Sequence, residues 1–218
     1  MKTKISLVIN IIIVILTIFA AIIMFAGIKF MEGGYHVEES TKLGLLKLFT
    51  VQSNLFMGIV SAIFAFKEIQ VLKGKKEEIS TKMYVIKLMS TTAVSLTFLT
   101  VFGYLGIIVP GGVIELLKNS NLFFHLLIPV LSIITFAIFE RTNKLKFKNT
   151  LFGLIPTLVY GVFYATNVLI HMENGKIDPI YDWYWFVQGR AWQMAFVIPL
   201  MLIVTYAIAV ILWRINRE

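Results

Sequence analysis

The chain has 218 residues, 58% of them apolar and 15% charged, against roughly 45–50% and about 25% in water-soluble domains. A soluble globule of this size could not hide so much apolar surface. With no cysteine, 14% aromatic residues and a mean hydropathy of +0.85, the composition also excludes a disordered chain, a disulfide-stapled scaffold and a thiolate metal protein. The net charge of +8 lies in the loops between apolar runs, so it marks topology rather than a nucleic-acid footprint.

Six stretches of about 20 mainly apolar residues, the length that crosses a bilayer, follow one another at 5–28, 44–66, 83–109, 121–139, 150–170 and 191–213. The expected fold is therefore all-α: one polytopic membrane domain over 1–218 with six transmembrane helices, retained in the cell membrane. The first stretch follows Lys2 and Lys4 without a small-x-small cleavage site and reads as an anchor. The loop 67–82 carries five lysines, and Pro110-Gly111-Gly112 makes a turn after the third span.

Orientation follows from the bias of lysine and arginine toward cytoplasmic loops. A cytoplasmic N-terminus assigns to that side Lys2, Lys4, Lys67, Lys73, Lys75, Lys76, Lys82, Arg141, Lys144, Lys146, Lys148, Arg214 and Arg217. The other side receives Lys29, Lys42, Lys47, Lys118, Lys176 and Arg190, so both termini are expected to be cytoplasmic. Lys87, just inside the third span, is expected to snorkel to the cytoplasmic face.

Polar side chains inside a bilayer are costly, so their depth is informative. The second span enters from outside and carries Thr50-Val51-Gln52-Ser53-Asn54 within two turns, with Thr50 about 9 Å down; the fourth carries Asn121 and then His125 at about 6 Å. Asn167 and His171 close the fifth span, and Gln188, Arg190 and Gln193 open the sixth. These residues form one expected polar layer in the outer third of the membrane, with no comparable cluster at the inner ends. Residues four apart share a helix face, which pairs Thr50 with Asn54, Asn121 with His125 and Asn167 with His171. Pro129 should bend the fourth span and free the carbonyl of residue 125.

Each of these residues also has a plain structural role to play. A membrane threonine commonly returns its hydroxyl to a carbonyl one turn back, and Asn54, Gln52, Ser53 and Asn167 can serve as interhelical glue. The hydroxyl residues from Ser90 to Thr97 read as packing groups, His36 and His171 as solvated interfacial histidines, and Trp183, Trp185, Trp192 and Tyr181 as an interfacial belt. His125 is different, because an ionisable group inside a span marks a functional site by default.

The segments Lys47-Leu48-Phe49-Thr50-Val51-Gln52-Ser53-Asn54-Leu55 and Asn121-Leu122-Phe123-Phe124-His125-Leu126-Leu127-Ile128-Pro129 resemble those of the androgen-induced-gene and androgen-dependent TFPI-regulating family. The resemblance runs over essentially the whole chain and is nearer to bacterial membrane members than to the animal enzymes. It implies an atypical threonine hydrolase that cleaves fatty acid esters of hydroxy fatty acids, with Thr50 as nucleophile and His125 as base. The chemistry is self-consistent, since a threonine hydroxyl needs a base within reach and His125 titrates nearest neutrality. Oxyanion donors are sought among Asn54, Gln52 and Asn167, and Asn121 is the expected orienter of the imidazole. Phe49, Phe56, Phe123 and Phe124 are expected to line the path of a lipid ester entering from the bilayer.

No cofactor, metal or nucleic-acid partner is expected. Two other readings use the same residues. A small lipid or amphiphile transporter or binding protein would need polar residues continuing toward the cytoplasmic side. A metal-dependent hydrolase would need His125, His171 and His36 with Asp178, brought together by two inward-folding outer loops.

Overall fold

The computed structural model describes residues 1–34, 42–184, 186–187 and 190–217, except the side chains of residues 42, 43, 179 and 191. Six helices long and apolar enough to span a membrane account for most of it: α1 (Lys2–Ala26), α2 (Phe49–Leu72), α3 (Thr81–Ile108), α4 (Ser120–Phe139), α5 (Phe147–Ile170) and α6 (Met194–Asn216). The chain is thus an all-α polytopic membrane protein. A two-residue hairpin, β1 (Met172–Glu173) with β2 (Lys176–Ile177), turns the chain after α5, with Asn174 and Gly175 at positive φ.

Helix α3 is the axis of the bundle. From Ser90 to Thr97 every side chain is buried, so the helix is covered on all sides by its neighbours. Four of its hydroxyls are satisfied locally, Ser90 and Thr91 donating to the Lys87 carbonyl, Ser95 to Thr91 and Thr97 to Ala93, while that of Thr92 is buried without a partner. One core joins α1 to α4 through Ile13, Ala20, Met57, Val94, Phe124 and Ile128; another joins α3, α4 and α6 through Leu88, Leu96, Phe136, Ile208 and Leu212.

Helices α1 and α2 cross closely because Gly58 has no Cβ. One added there would stand 2.6 Å from Thr17 Cγ2, so only glycine permits this approach. Both termini lie at the lysine-rich end, called here the basic end, where Arg141 donates to the Arg217 carbonyl and the Asn216 amide caps the Phe136 and Glu140 carbonyls.

Two boundaries differ from expectation in ways that matter for the site. Helix α2 begins at Phe49, with a separate 3₁₀ turn over Lys42–Lys47 before it, so Thr50 sits in the first helical turn rather than the second. Helix α4 passes, after Ser120–Leu122, through a π-helical turn over Phe123–Leu127. In that register the group lacking its partner above Pro129 is the Phe124 carbonyl, not that of residue 125, and the Asn54 side chain supplies the missing hydrogen at 3.0 Å.

Candidate functional site

The end of the bundle opposite the basic end holds a cavity of about 550 Å³ with a mixed polar and apolar lining. Thr50 and Val51 of α2, Asn121 and His125 of α4, and Trp183 and Tyr184 from the segment before α6 all face it. Thr50 and His125, widely separated in sequence, therefore line one cavity.

The imidazole is oriented by the backbone. His125 is buried, and its Nδ1 lies 2.6 Å from the Leu116 carbonyl oxygen. A carbonyl only accepts, so Nδ1 carries the hydrogen and Nε2 keeps its lone pair. Leu116 ends the short helical turn Gly112–Leu116 that follows the Gly111-Gly112 bend, where both glycines hold positive φ. The turn is secured by Asn119, whose Oδ1 accepts from the amides of Phe30 and Met31 at 2.8 and 2.9 Å. Asn121, the expected orienter, lines the cavity, while the Leu116 carbonyl holds the ring.

Thr50 sits where the first-turn amides of α2 have no intrahelical acceptor. Tyr184 answers that need: its hydroxyl oxygen accepts from the Phe49 amide at 2.8 Å. Burial holds the Tyr184 phenol above its ordinary value, so the hydroxyl stays protonated and able to donate. The segment presenting Tyr184 is fixed by Asp182, which is buried, accepts from the Tyr164 hydroxyl and takes the Phe186 and Val187 amides at 3.0 Å each. Tyr184 carried no sequence signal beyond its place among aromatic neighbours. Nor did the Leu116 carbonyl, since any residue supplies one.

A second, smaller cavity of about 180 Å³ meets the first at Thr50 and Tyr184, which line both. Its walls are apolar: Leu96 and Val101 of α3, Leu158 and Gly161 of α5, Val197 and Met201 of α6. Thr50 is thus part of the partition between a chamber of mixed lining and an apolar slot among the spans.

Several expected site residues point elsewhere. The Asn54 amide is committed to the Thr50 and Phe124 carbonyls at 2.7 and 3.0 Å. Gln52 donates to the Leu46 carbonyl, and Asn167 to the Tyr181 carbonyl, outside either cavity. None of these three amides is available as an oxyanion donor. Phe49 reaches the apolar slot, but Phe124 is sealed in the core, Phe123 packs edge-on against Phe19 and Phe56 packs on a separate cluster nearer the basic end.

The expected polar layer is accordingly narrower than four helices. Arg190 is exposed, His171 stacks on Tyr181 at 3.7 Å, and Gln188, His36 and Trp185 lie outside the described residues. No three metal-ligating side chains are grouped among the described residues. Trp183 is a buried wall residue that donates to the Tyr160 hydroxyl at 2.9 Å, with Lys47 Nζ 4.8 Å above its ring, rather than a member of an interfacial belt. Trp192 is exposed, as a belt residue would be.

Lys87 departs furthest from expectation. It does not snorkel but is fully buried, and it donates to Asn10 and Ser61 and pairs with Glu140 at 3.3 Å. The basic half of the bundle therefore has a polar cluster of its own. Its signals in the sequence are Asn10 in the middle of an apolar span, and Glu68 and Glu140 just beyond the expected ends of the second and fourth spans.

Comparison of the chain with protein-family models, with curated proteins and with solved structures gives no match.

Proposed function

We propose that the protein is an intramembrane lipid-ester hydrolase of the cell membrane, with Thr50 as nucleophile and His125 as general base. One observation carries the reading: Thr50 lines the same cavity as a buried histidine whose Nδ1 is tied to a carbonyl, which leaves Nε2 free to take a proton. The resemblance of the segments around Thr50 and His125 to the androgen-induced-gene family favours the same pair.

In the proposed reaction Thr50 Oγ1 attacks the ester carbonyl carbon while its proton passes to His125 Nε2. The resulting oxyanion would be met by the Tyr184 hydroxyl and the Asn121 amide, and the positive end of the α2 dipole lies beside the developing charge. Collapse breaks the carbonyl–alkoxy bond, and the leaving oxygen takes the proton from Nε2. Water then attacks acyl-Thr50, giving its proton to Nε2; the fatty acid departs and Thr50 recovers its hydrogen. The Leu116 carbonyl takes the place of a triad carboxylate in fixing the tautomer.

On this reading the two cavities would take the two halves of a fatty acid ester of a hydroxy fatty acid. The acyl chain takes the apolar slot among α3, α5 and α6. The alcohol half takes the larger chamber, where Lys29 supplies positive charge for a carboxylate. A fluorophosphonate probe followed by mass spectrometry of the purified protein tests the reading: the adduct is expected on Thr50 and lost when His125 is replaced, and an adduct elsewhere overturns it.

A carrier would use the same chamber as a binding site and need a polar route onward to the Lys87 cluster. Along α1, α2, α3 and α4 that route is interrupted by Ile13, Met57, Val94 and Ile128, each buried to 0% exposure. This observation favours the hydrolase.

A further inference from the structure

The basic half of the bundle holds two carboxyl groups and one ammonium away from water. Glu68 of α2 is 1% exposed, Lys87 of α3 is 0% and Glu140, the residue after α4, is 2%. The surrounding donors converge on them. Glu140 Oε1 accepts from Ser6 at 3.2 Å, from Asn10 at 2.8 Å and from Lys87, while Glu68 Oε2 accepts from Asn10 at 3.3 Å. The three hydrogens of the ammonium are accounted for by Asn10, Ser61 and Glu140, and the Phe64 ring lies 5.2 Å from Nζ.

The charges in this cluster do not balance. With both carboxyls ionised and Lys87 protonated, one negative charge is left over in a water-free interior, where an uncompensated ion costs several kcal/mol. Three cations at this end are engaged elsewhere: Arg141 with the Arg217 carbonyl, Lys144 with Glu78 and the Ile79 carbonyl, and Lys67 over the Phe66 ring. A second observation points the same way. Glu140 Oε2 is buried and has no hydrogen-bond partner, although three donors crowd its twin oxygen. A buried carboxylate oxygen without a donor forgoes the hydrogen bond that water would give it, which penalises the ionised form.

We propose that the Glu68–Lys87–Glu140 cluster is a proton-binding site, holding one proton on the Glu68/Glu140 carboxyl pair and exchanging it with the aqueous phase at the basic end. With that proton bound the cluster is neutral overall. Because Ser6 and Asn10 belong to α1, Glu68 to α2, Lys87 to α3, and Glu140 closes α4, four helices meet at one titratable point. Loss of the proton at alkaline pH leaves a bare negative charge among them and loosens their packing. The site is independent of Thr50 and His125, so it stands or falls apart from the hydrolase reading.

The test is infrared difference spectroscopy on the full chain in lipid nanodiscs, comparing wild type with Glu68→Gln and Glu140→Gln. At neutral pH the wild type is expected to show the carbonyl stretch of a protonated carboxyl. That band should move on transfer to heavy water, disappear on alkaline titration and be absent from both variants, each of which keeps one carboxylate opposite Lys87. Thermal melts of the same samples should fall for wild type as pH rises and stay flat for Glu68→Gln. Either variant alone suffices for the spectral comparison should the other fail to fold. A wild-type spectrum without a band assignable to either residue overturns the proposal. So does alkaline stability that is restored by sodium or potassium chloride but not by choline chloride, which would make the occupant an alkali cation.

Discussion

The side-chain amide of Asn54 donates to the Phe124 carbonyl at 3.0 Å and to the Thr50 carbonyl at 2.7 Å, joining α2 to α4 at the level of the site. The Phe124 carbonyl is open to it because the π-helical turn places Pro129, which has no N–H, in the donor's position. Replacing Asn54 with alanine leaves a buried carbonyl unpaired. The expected cost is about 1–3 kcal/mol, read as a lowered thermal midpoint, with His125 displaced and turnover reduced.

Thr50→Ala is expected to abolish hydrolysis of long-chain fatty acyl esters and the fluorophosphonate adduct with it. His125→Ala should reduce turnover by about 10²–10⁴-fold, the usual worth of a positioned general base. Turnover retained by Thr50→Ala would remove the nucleophile assignment. Circular dichroism and thermal melts on the same samples separate lost chemistry from lost folding.

Tyr184→Phe keeps the ring and deletes the hydroxyl that meets the Phe49 amide at 2.8 Å. One hydrogen bond at a helix start is worth about 1 kcal/mol, so a small drop in melting temperature is expected. Turnover should fall by more than about 10-fold if the same hydroxyl also stabilises the oxyanion. A stability loss with unchanged kcat would make Tyr184 purely structural.

Gly161 lines the apolar slot, and a Cβ added there meets nothing within 4 Å. Gly161→Leu should therefore fill the slot without disturbing its neighbours, and leucine also favours a helix interior by about 1 kcal/mol over glycine. The expected result is loss of activity toward long acyl chains with activity toward acetyl or butyryl esters preserved. An unchanged chain-length profile would place the acyl group elsewhere.

Glu115 ties the segment after α1 to the turn before α4 by accepting from Lys118 and from the Gly34 amide at 2.8 Å. The hydrogen bond from Lys118 holds its carboxyl below the ordinary range, with the Gly34 amide adding to the effect. Such a group stabilises the folded, hydrogen-bonded arrangement above the ordinary carboxylate value, and that contribution is lost as pH falls through its depressed one. Hydrogen exchange at the Gly34 amide, corrected for the intrinsic rate, should thus stay slow at mildly acidic pH and rise only under stronger acid. Glu115→Gln should raise it at neutral pH.

The spans were legible because a bilayer imposes a length and a composition on every crossing, and α4 and α5 end at Phe139 and Ile170 as read. Helix α2 was read as starting at residue 44 because hydropathy does not distinguish the 3₁₀ turn Lys42–Lys47 from the helix it precedes. Thr50 and His125 could be brought together by depth, a coordinate that sequence order supplies along each span. Rotation about the helix axis is not supplied in that way, and it is rotation that sends Asn54 to the Phe124 carbonyl and Gln52 to Leu46. The Lys87 cluster was hidden for a related reason. Charged residues near span ends ordinarily reach water, and only the packing of four helices turns these inward.

Thr50, set in the partition between two chambers, has a consequence for how a reaction there would finish. The freed acid would slip sideways among neighbouring tails, while the released hydroxy compound would drain toward the aqueous mouth. On the proposed reading the two products would thus part at Thr50, each into its own cavity.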